Sequence, residues 1–518
     1  MSEDCKGLRM GVVGTGTMGL GIAQLGALVD FDVVAYDVDA AATDRAGAQL
    51  EQALASGASK GRWSEADARD ARARVRFTTA LEDVADREIV VEAVPESLEL
   101  KREVLTRVAA LLDDDDAVLA TNTSSLPVSA IASALPDPNR LIGLHFFNPP
   151  PLMRLVEVVP THVTDDDVLE RALTIVRALG REPITTTDSL GFVVNRCARP
   201  FVGEALRILG ERVASVEQID GICRDAGGFR MGPLELTDLI GLDVNLQIQE
   251  SFFEQSYGEP RWRPSLIQTQ LVQSGRLGRK SGAGFYAYPR RGDERPAPPV
   301  GEPPATVAVF GSGPIADDLR ASIGATSSDL VEVGADLTID ARPTAETPSP
   351  DAGALLVCCA AASIGGRGAA GAAGFDLAAP LAQSSCLQLA RDARTRDRDA
   401  LAAEGLAAAL GKRVEWVSDA PGLVLGRLVA QLVNEAAFAL QDGVAEPRDI
   451  DVAMRLGMNF PRGPLAWGDD LGPARCVATL DGLLAYTGDP RYRAAPLLRR
   501  VAAGSQAGRL ARTGGEHE

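Results

Sequence analysis

The sequence predicts an α/β domain plus an all-α domain, followed by a reduced α/β segment and a second copy of the all-α domain. Three observations predict it. Residues 9–14 (RMGVVG) read as a short buried strand that runs into a glycine-rich turn and the apolar helix start MGLGIAQLGALV. From about residue 189 the period changes from strand-like to helical. The helical segment 190–220 (LGFVVNRCARPFVGEALRILGERVASVEQID) also aligns without gaps with 421–451 (PGLVLGRLVAQLVNEAAFALQDGVAEPRDID), at an offset of 231.

The elements follow in order. After the turn, DVVAYD reads as a second strand, completing a β-turn-α-β unit. Residues 40–75 are charged and alanine-rich, which fits two exposed helices. RVRFTTAL, EIVVEAV and AVLATNT read as successive strands of a parallel sheet, separated by helical stretches such as LELKREVLTRVAALL; LIGLHFF and LVEVVP add two more strands. This gives one α/β domain over 1–188 and a helical domain over 189–288, ending in the turn-rich GRLGRKSGAGFYAYP. Residues 289–305 (PRRGDERPAPPVGEPPA) read as a Pro-rich, charged linker. Residues 306–415 read as the reduced α/β unit, opened by TVAVFGSGP and nearly low-complexity over 352–374. The second helical domain covers 416–505, and 506–518 form a polar tail.

Within the repeat, Gly191 matches Gly422, Arg196 matches Arg427, Glu204 matches Glu435 and Asp220 matches Asp451. The register continues through Gly232-Pro233-Leu234 against Gly463-Pro464-Leu465, and Gly241 against Gly472. One polar residue is lost, because Asn195 becomes Gly426.

Composition bounds the function. The chain has 518 residues, 46% hydrophobic and 24% charged, in the ordinary range of globular proteins. A formal net charge of −19 argues against a broad nucleic-acid surface. No apolar run reaches the ~18 residues that span a bilayer. The start MSEDCKGLRMGVVG is acidic and runs straight into a strand, unlike a signal peptide. The 7 cysteines lack zinc-ligand spacing and are expected to be buried, reduced thiols of a cytoplasmic protein. No metal is expected.

The turn Gly14-x-Gly16-x-x-Gly19, with Thr17 and Met18 inside it, has the strand before and the helix after that a dinucleotide fingerprint requires. The first glycine permits the tight turn, the second admits a pyrophosphate to the backbone, and the third lets helix pack on strand. Asp37 ends the second strand, where a carboxylate would accept hydrogen bonds from ribose hydroxyls and repel a 2′-phosphate. A Rossmann-type domain that binds NAD rather than NADP is the expectation. The other reading of Asp37 is a helix cap. The second glycine pair, Gly311 and Gly313, is followed by Pro314 and the acidic Asp317-Asp318. Those carboxylates would compete with a pyrophosphate, so this unit reads as a degenerate Rossmann-like segment.

Of 3 histidines, His517 lies in the tail and His162 in a surface turn. His145 stands at the carboxyl end of the strand LIGLHFF, the end at which open α/β sheets bind ligands. It is a candidate general base. Glu157 sits mid-strand among apolar neighbours in RLVEVVP, where a lone charge is costly. Pairing with the imidazole resolves that cost; a solvated edge-strand carboxylate is the alternative.

The combination GVVGTGTMGLGIA, VVEAVPE, TNTSSLP, GLHFFNPPPLMRLVEVV and GFVVNR closely resembles the 3-hydroxyacyl-CoA dehydrogenase family over residues 9 to about 200. FRMGPLELTDLIGLD and GRLGRKSGAGFYAY extend the resemblance to about 288, and the repeat with NFPRGPLAW resembles the longer bacterial members. The resemblance implies NAD-dependent oxidation of a 3-hydroxyacyl-CoA, with His145 as general base and Glu157 as its partner. It implies that Ser124 and Asn195 lie near the substrate C3 oxygen or thioester, and that Asn148 holds the histidine loop. It also implies that Glu96, Lys101 and Asn122 lie at the cofactor, and that Lys60, with Arg62, meets the CoA phosphates. Ser124 and Asn148 read alternatively as turn residues, Asn195 as a helix-interior polar residue, and Lys60 and Arg62 as solvated cations. Pro95 and Ser97 depart from the family pattern. Two other classes stay open: a lysine-base β-hydroxyacid dehydrogenase on free acids, and a non-catalytic NAD- or acyl-CoA-binding scaffold. The expected partner is an acyl-CoA, with a homodimer or an intrachain pseudo-dimer of the helical domains. No membrane association is expected.

Overall fold

In the computed structural model, residues 5–114, 116–290, 299, 301–343, 353–504 and 509–512 are described. Most of the linker and of the tail, with His517, lies outside them. The chain forms two compact units, residues 1–194 with 443–458, and residues 195–442 with 459–518. These units cut across the linear order of domains, because 16 residues of the second helical region belong to the first unit.

The first unit is built on an eight-stranded sheet: β1 (Arg9–Val13), β2 (Asp32–Tyr36), β3 (Val75–Thr78), β4 (Ile89–Glu92), β5 (Val118–Thr121), β6 (Leu141–Phe146), β7 (Leu155–Pro160) and β8 (Glu182–Thr185). Their order is β3-β2-β1-β4-β5-β6-β7-β8. Six strands run parallel; β7 turns antiparallel to β6, and β8 follows β7. The pleat sends Val12 into one core, with Ile22 and Leu50, and Val13 into the other, with Leu105 and Val128. Both faces are thus buried, as a parallel sheet requires. The exposed helices foreseen for 40–75 are Ala40–Ser59 and Glu65–Ala73. The second begins with a capping box between Ser64 and Asp67.

The second unit holds a seven-stranded sheet: β9 (Thr306–Phe310), β10 (Asp329–Leu330), β11 (Leu337–Asp340), β12 (Ala354–Cys358), β13 (Ala373–Phe375), β14 (Cys386–Arg391) and β15 (Arg413–Ser418), in the order β10-β9-β11-β12-β13-β14-β15. This is the first sheet without its outer strand β3. Here too one strand, β14, turns antiparallel to its predecessor. The reduction falls between β10 and β11, where the first unit carries two helices and β3.

The helices of the second unit meet through reciprocal buried ion pairs. Arg196 donates to Glu435 (2.9 Å) and Asp442 (2.6 Å). Arg427 donates to Glu204 (2.8 Å) and Glu211 (2.7 Å). Each arginine would be costly without these carboxylates. Among the described residues, no helix is long and apolar enough to cross a membrane.

Candidate active site

The glycine turn is shaped for a ligand to approach its backbone. Gly14 has φ +99, and a Cβ there would lie 2.7 Å from Ala93 O. At Gly19 a Cβ would run into Gly14 O, whereas at Gly16 it would meet nothing within 4 Å. Gly14 and Gly19 therefore serve the turn and the helix-on-strand contact, and Gly16 leaves open space above it. The helix Thr17–Leu28 starts there with no side-chain cap, so its first N–H groups are free for an anion. Asp37 follows β2 and accepts hydrogen bonds from Thr15 N and Thr15 Oγ1, both at 2.9 Å. It ties the turn to the end of β2. These residues fit the pyrophosphate and ribose of NAD.

Glu96 lies on the loop after β4, beside the TNTSS turn that follows β5. Its Oε1 accepts from Thr123 Oγ1 (2.7 Å), Ser125 Oγ (2.9 Å), Ser124 N and Ser125 N. Burial alone would raise its carboxyl pKa, but Lys101 and these donors outweigh burial and hold it below the ordinary value. Lys101 is 1% exposed and gives its ammonium to Glu92 (2.8 Å), Val94 O (3.4 Å) and Glu96 (3.3 Å). Lys101 is a buried cation that holds Glu96 and Glu92, with its donors committed inside the protein.

The dyad lies on the antiparallel pair β6–β7, where His145 and Glu157 face each other in register. His145 Nδ1 is 2.6 Å from Glu157 Oε2. Glu157 is 0% exposed, which removes the reading of a solvated edge carboxylate. Its Oε1 accepts from Val193 N (3.0 Å) and Val194 N (2.8 Å). The chain presents these donors by turning through Gly191 (φ +72) and Phe192 (φ +50). A left-handed phenylalanine is unfavourable, and the bonds to Glu157 offset it. Phe147 and Phe192 flank the imidazole at ring-centroid distances of 4.5 and 5.7 Å. With Nδ1 committed to Glu157, Nε2 is the nitrogen left for a substrate.

The other foreseen residues take varied places. Asn122 Oδ1 accepts from Phe146 N (2.9 Å), which ties the end of β5 to the strand of His145. Ser124 is exposed on its turn. Asn148 is exposed, and in the turn after His145 Leu152 N and Met153 N donate to Pro149 O. Asn195 is half-buried in the short helix Val194–Cys197, at the start of the second unit. Lys60 and Arg62 are exposed after the helix Ala40–Ser59. The groove of about 470 Å³ between that helix and the next is bordered by Arg69 and Arg72 rather than by them.

Sequence reasoning missed the buried pair Glu92–Lys101 with Glu96 beside it, the two N–H donors to Glu157, and the fate of the dyad in the second half. There Gln388 Oε1 accepts from Val424 N and Leu425 N, both at 3.2 Å, and Leu423 repeats the left-handed turn at φ +48. Gln388 stands 231 positions after Glu157, and Asp376 stands 231 after His145. The signal was the same offset already visible in the helical segments. Asp376 is buried and paired with Arg475. Gly426, the counterpart of Asn195, approaches Asp376 so closely that a Cβ would strike its carboxylate.

A doubly wound sheet with a glycine turn, a carboxylate after β2 and a buried His–Glu pair at the far strand ends defines an NAD-dependent dehydrogenase. Comparison with known proteins narrows this. The 3-hydroxyacyl-CoA dehydrogenase NAD-binding domain matches residues 9–189, and the 3-hydroxyacyl-CoA dehydrogenase C-terminal domain matches residues 191–288 and again 422–516. The chain is 38% identical to 3-hydroxyadipyl-CoA dehydrogenase of Escherichia coli K12, over 95% of this chain and 96% of that protein. It is 41% identical to a probable 3-hydroxybutyryl-CoA dehydrogenase of Deinococcus radiodurans, over 54% of this chain and all of that protein. The crystal structure of 3-hydroxybutyryl-CoA dehydrogenase from Escherichia coli K12 superposes with a TM-score of 0.82 at 36% identity, covering 96% of this chain and 99% of that one. The chain belongs to the 3-hydroxyacyl-CoA dehydrogenase family and is an NAD-dependent oxidoreductase.

Proposed function

We propose that the protein oxidises (3S)-3-hydroxyacyl-CoA thioesters to 3-oxoacyl-CoA, with His145 as general base and Glu157 as its orienting partner. The observation that carries this reading is the 2.6 Å contact between His145 Nδ1 and a fully buried Glu157. Glu157 fixes the tautomer in which Nε2 carries a lone pair. Nε2 takes the proton of the 3-hydroxyl as the C3–O bond becomes a carbonyl. The resulting imidazolium lies against a carboxylate already desolvated and held by two N–H donors, so its charge is balanced without solvent reorganisation. Bound NAD supplies the acceptor for the hydride that leaves C3. Ser124 and Asn195 are assigned to the substrate oxygens, Asn148 to the histidine loop and Lys60 to the CoA phosphates, on the strength of the family motifs they occupy.

Likeness to 3-hydroxyadipyl-CoA and 3-hydroxybutyryl-CoA dehydrogenases favours a short acyl chain. The test is the initial rate of NADH formation with both substrates and with the free 3-hydroxy acids. Turnover of the CoA esters alone is expected. Undiminished turnover by His145→Ala would refute the assignment of the base.

The second half reads as a duplicated copy of both domains that supplies an intrachain pseudo-dimer. The offset of 231 supports this, as do the reciprocal pairs Arg196–Glu435 and Arg427–Glu204. A self-complementary patch exchanges residues in this way across a two-fold axis. A chain ending near residue 290 is expected to self-associate in light scattering; a soluble monomer would remove this reading. The free, buried state of all seven cysteines suits a reducing compartment, in keeping with a cytoplasmic enzyme.

A further inference from the structure

The segment 443–458 lies against the strand pair that carries Glu157, within the first unit. Its start is tied to the chain just after β8. Thr187 N and Thr186 Oγ1 donate to Val444 O, at 2.8 and 3.1 Å. Its helix, Pro447–Gly457, is anchored at the first turn. Asp449 accepts from Thr185 N (3.3 Å), and Arg448 pairs with Glu182 (3.1 Å). The other end arrives at Gly457 with no room to spare. A Cβ there would lie 2.9 Å from Val194 Cγ2 and 3.0 Å from Leu155 Cδ2. Val194 is the residue whose N–H, at 2.8 Å, is the shorter of the two bonds to Glu157 Oε1. Leu155 lies two residues before Glu157 on the same strand. The helix end thus closes directly on the peptide and the strand that hold the carboxylate.

We propose that Gly457 is a positioning residue for the His145–Glu157 dyad, and that the second half of the chain takes part in catalysis by bracing Val194 through this helix. The proposal rests on the reading of His145 as the base. The missing side chain lets the helix end sit close enough to press Val194 toward Glu157. A methyl group at 457 displaces Val194 and Leu155 by a few tenths of an ångström. That misaligns the hydrogen bond from Val194 N–H to Glu157 and shifts the imidazole that Glu157 aims. Small displacements of a catalytic group cost rate rather than ligand affinity. In the second unit the residue 231 positions before Gly457 is Ala226, and the glycine that meets the next helix is the one after it. Gly227 lies against Leu425, whose N–H donates to Gln388 beside Asp376, a pair with no imidazole. A Cβ at Gly227 would lie 2.8 Å from Leu425 Cδ1 and also 2.7 Å from Cys223 O, so a methyl there crowds the cradle that has no base to aim.

The test is a steady-state comparison of full-length Gly457→Ala, Gly457→Ala with Val194→Ala, and Gly227→Ala, with NAD affinity measured by equilibrium binding. Gly457→Ala is expected to lower kcat by about tenfold, with KM for NAD and NAD affinity within twofold. Shortening Val194 is expected to restore kcat to within about threefold, and Gly227→Ala to leave it unchanged. Undiminished kcat in Gly457→Ala, no rescue by Val194→Ala, or an equal loss in Gly227→Ala would each overturn the proposal. Should Gly457→Ala fail to fold, Asp449→Ala removes the acceptor of Thr185 N–H and releases the other end of the same helix, and an unaltered kcat in that variant overturns it too. His145→Ala separates the two readings. If that variant is inactive while the Gly457 variants are fully active, the base stands and the brace falls.

Discussion

Asp376 occupies in the second sheet the register position that His145 occupies in the first. His145 pairs with Glu157 across β6 and β7. In β13 and β14 the pairs Gly374–Ala390 and Phe375–Leu389 lead to Asp376 opposite Gln388, and Gln388 Nε2 donates to Asp376 O at 3.1 Å. The two halves keep the same backbone cradle and differ in what fills it. An imidazole and a carboxylate in one become a carboxylate and an amide in the other.

The amide at Gln388 indicates what Glu157→Gln will do. A glutamine satisfies the same two backbone donors, since Gln388 Oε1 accepts from Val424 N and Leu425 N. The variant should therefore fold, with Tm within a few degrees of the parent. Its amide would turn an N–H toward His145 Nδ1, and the imidazole would then carry its proton on Nε2, where it cannot act as a base. The expected loss in kcat is about 10³- to 10⁴-fold, the scale of a wrong tautomer in a triad. Near-parental kcat in a folded variant would show that the carboxylate does not set the tautomer.

Arg475 gives the converse test, at the cradle without an imidazole. Burial pushes the Asp376 carboxyl above its ordinary value, and Arg475 with Leu377 N–H only partly offsets this. Arg475→Ala removes the cation and leaves the acid buried, a change that costs about 3–5 kcal/mol. The loss should show in denaturant unfolding at neutral pH and shrink as the pH falls, because Asp376 can then take up a proton. The kcat of the folded variant should stay within twofold of the parent. A large fall in kcat would mean that the second cradle contributes to turnover.

The parts of the site legible in the sequence were those carried by local chemistry. Gly14, Gly16, Gly19 and Asp37 form a contiguous strand-turn-helix-strand signature. His145 and Glu157 were legible because a strand end and a mid-strand charge each demand an explanation. The direction of β7 was not, since strands buried on both faces read as continuous apolar runs in either sense. β8 (Glu182–Thr185) escaped because a charge and a proline interrupt its short apolar pattern. The burial of Lys101 escaped because its neutralising partner, Glu92, lies on a strand rather than on its own helix. Asp376 and Gln388 escaped because the repeat was traced through the helical segments only, where the apolar stripe keeps the alignment visible.

The glycine turn separates ligand contact from fold. A Cβ at Gly16 points into open space, whereas one at Gly19 collides with Gly14 O. Gly16→Val should thus fold with a near-parental Tm and lose NAD affinity by at least about tenfold, since the side chain fills the space the pyrophosphate needs. Gly19→Val should lower Tm as well, by forcing the helix off the strand. Equal NAD affinity in Gly16→Val and the parent would place the cofactor elsewhere.

Glu96 gives the pH prediction. Its folded pKa is held below the ordinary 4.5, because Lys101 and the hydroxyl and amide donors outweigh burial. A depressed folded value means that the unfolded chain binds the proton more tightly. The ionised group therefore contributes stability that is fully present above about 4.5 and is lost as the pH falls through the lower folded value. Glu96→Gln removes that contribution. Its Tm should lie below the parent's at pH 7, and the gap should close as the pH is taken from 4.5 downward. The side chain is about a third exposed, so water screens part of the effect, and the gap should also narrow with added salt. A gap constant in pH would mean that Glu96 acts through packing alone and that its pairing with Lys101 adds nothing to the loop around Ser124.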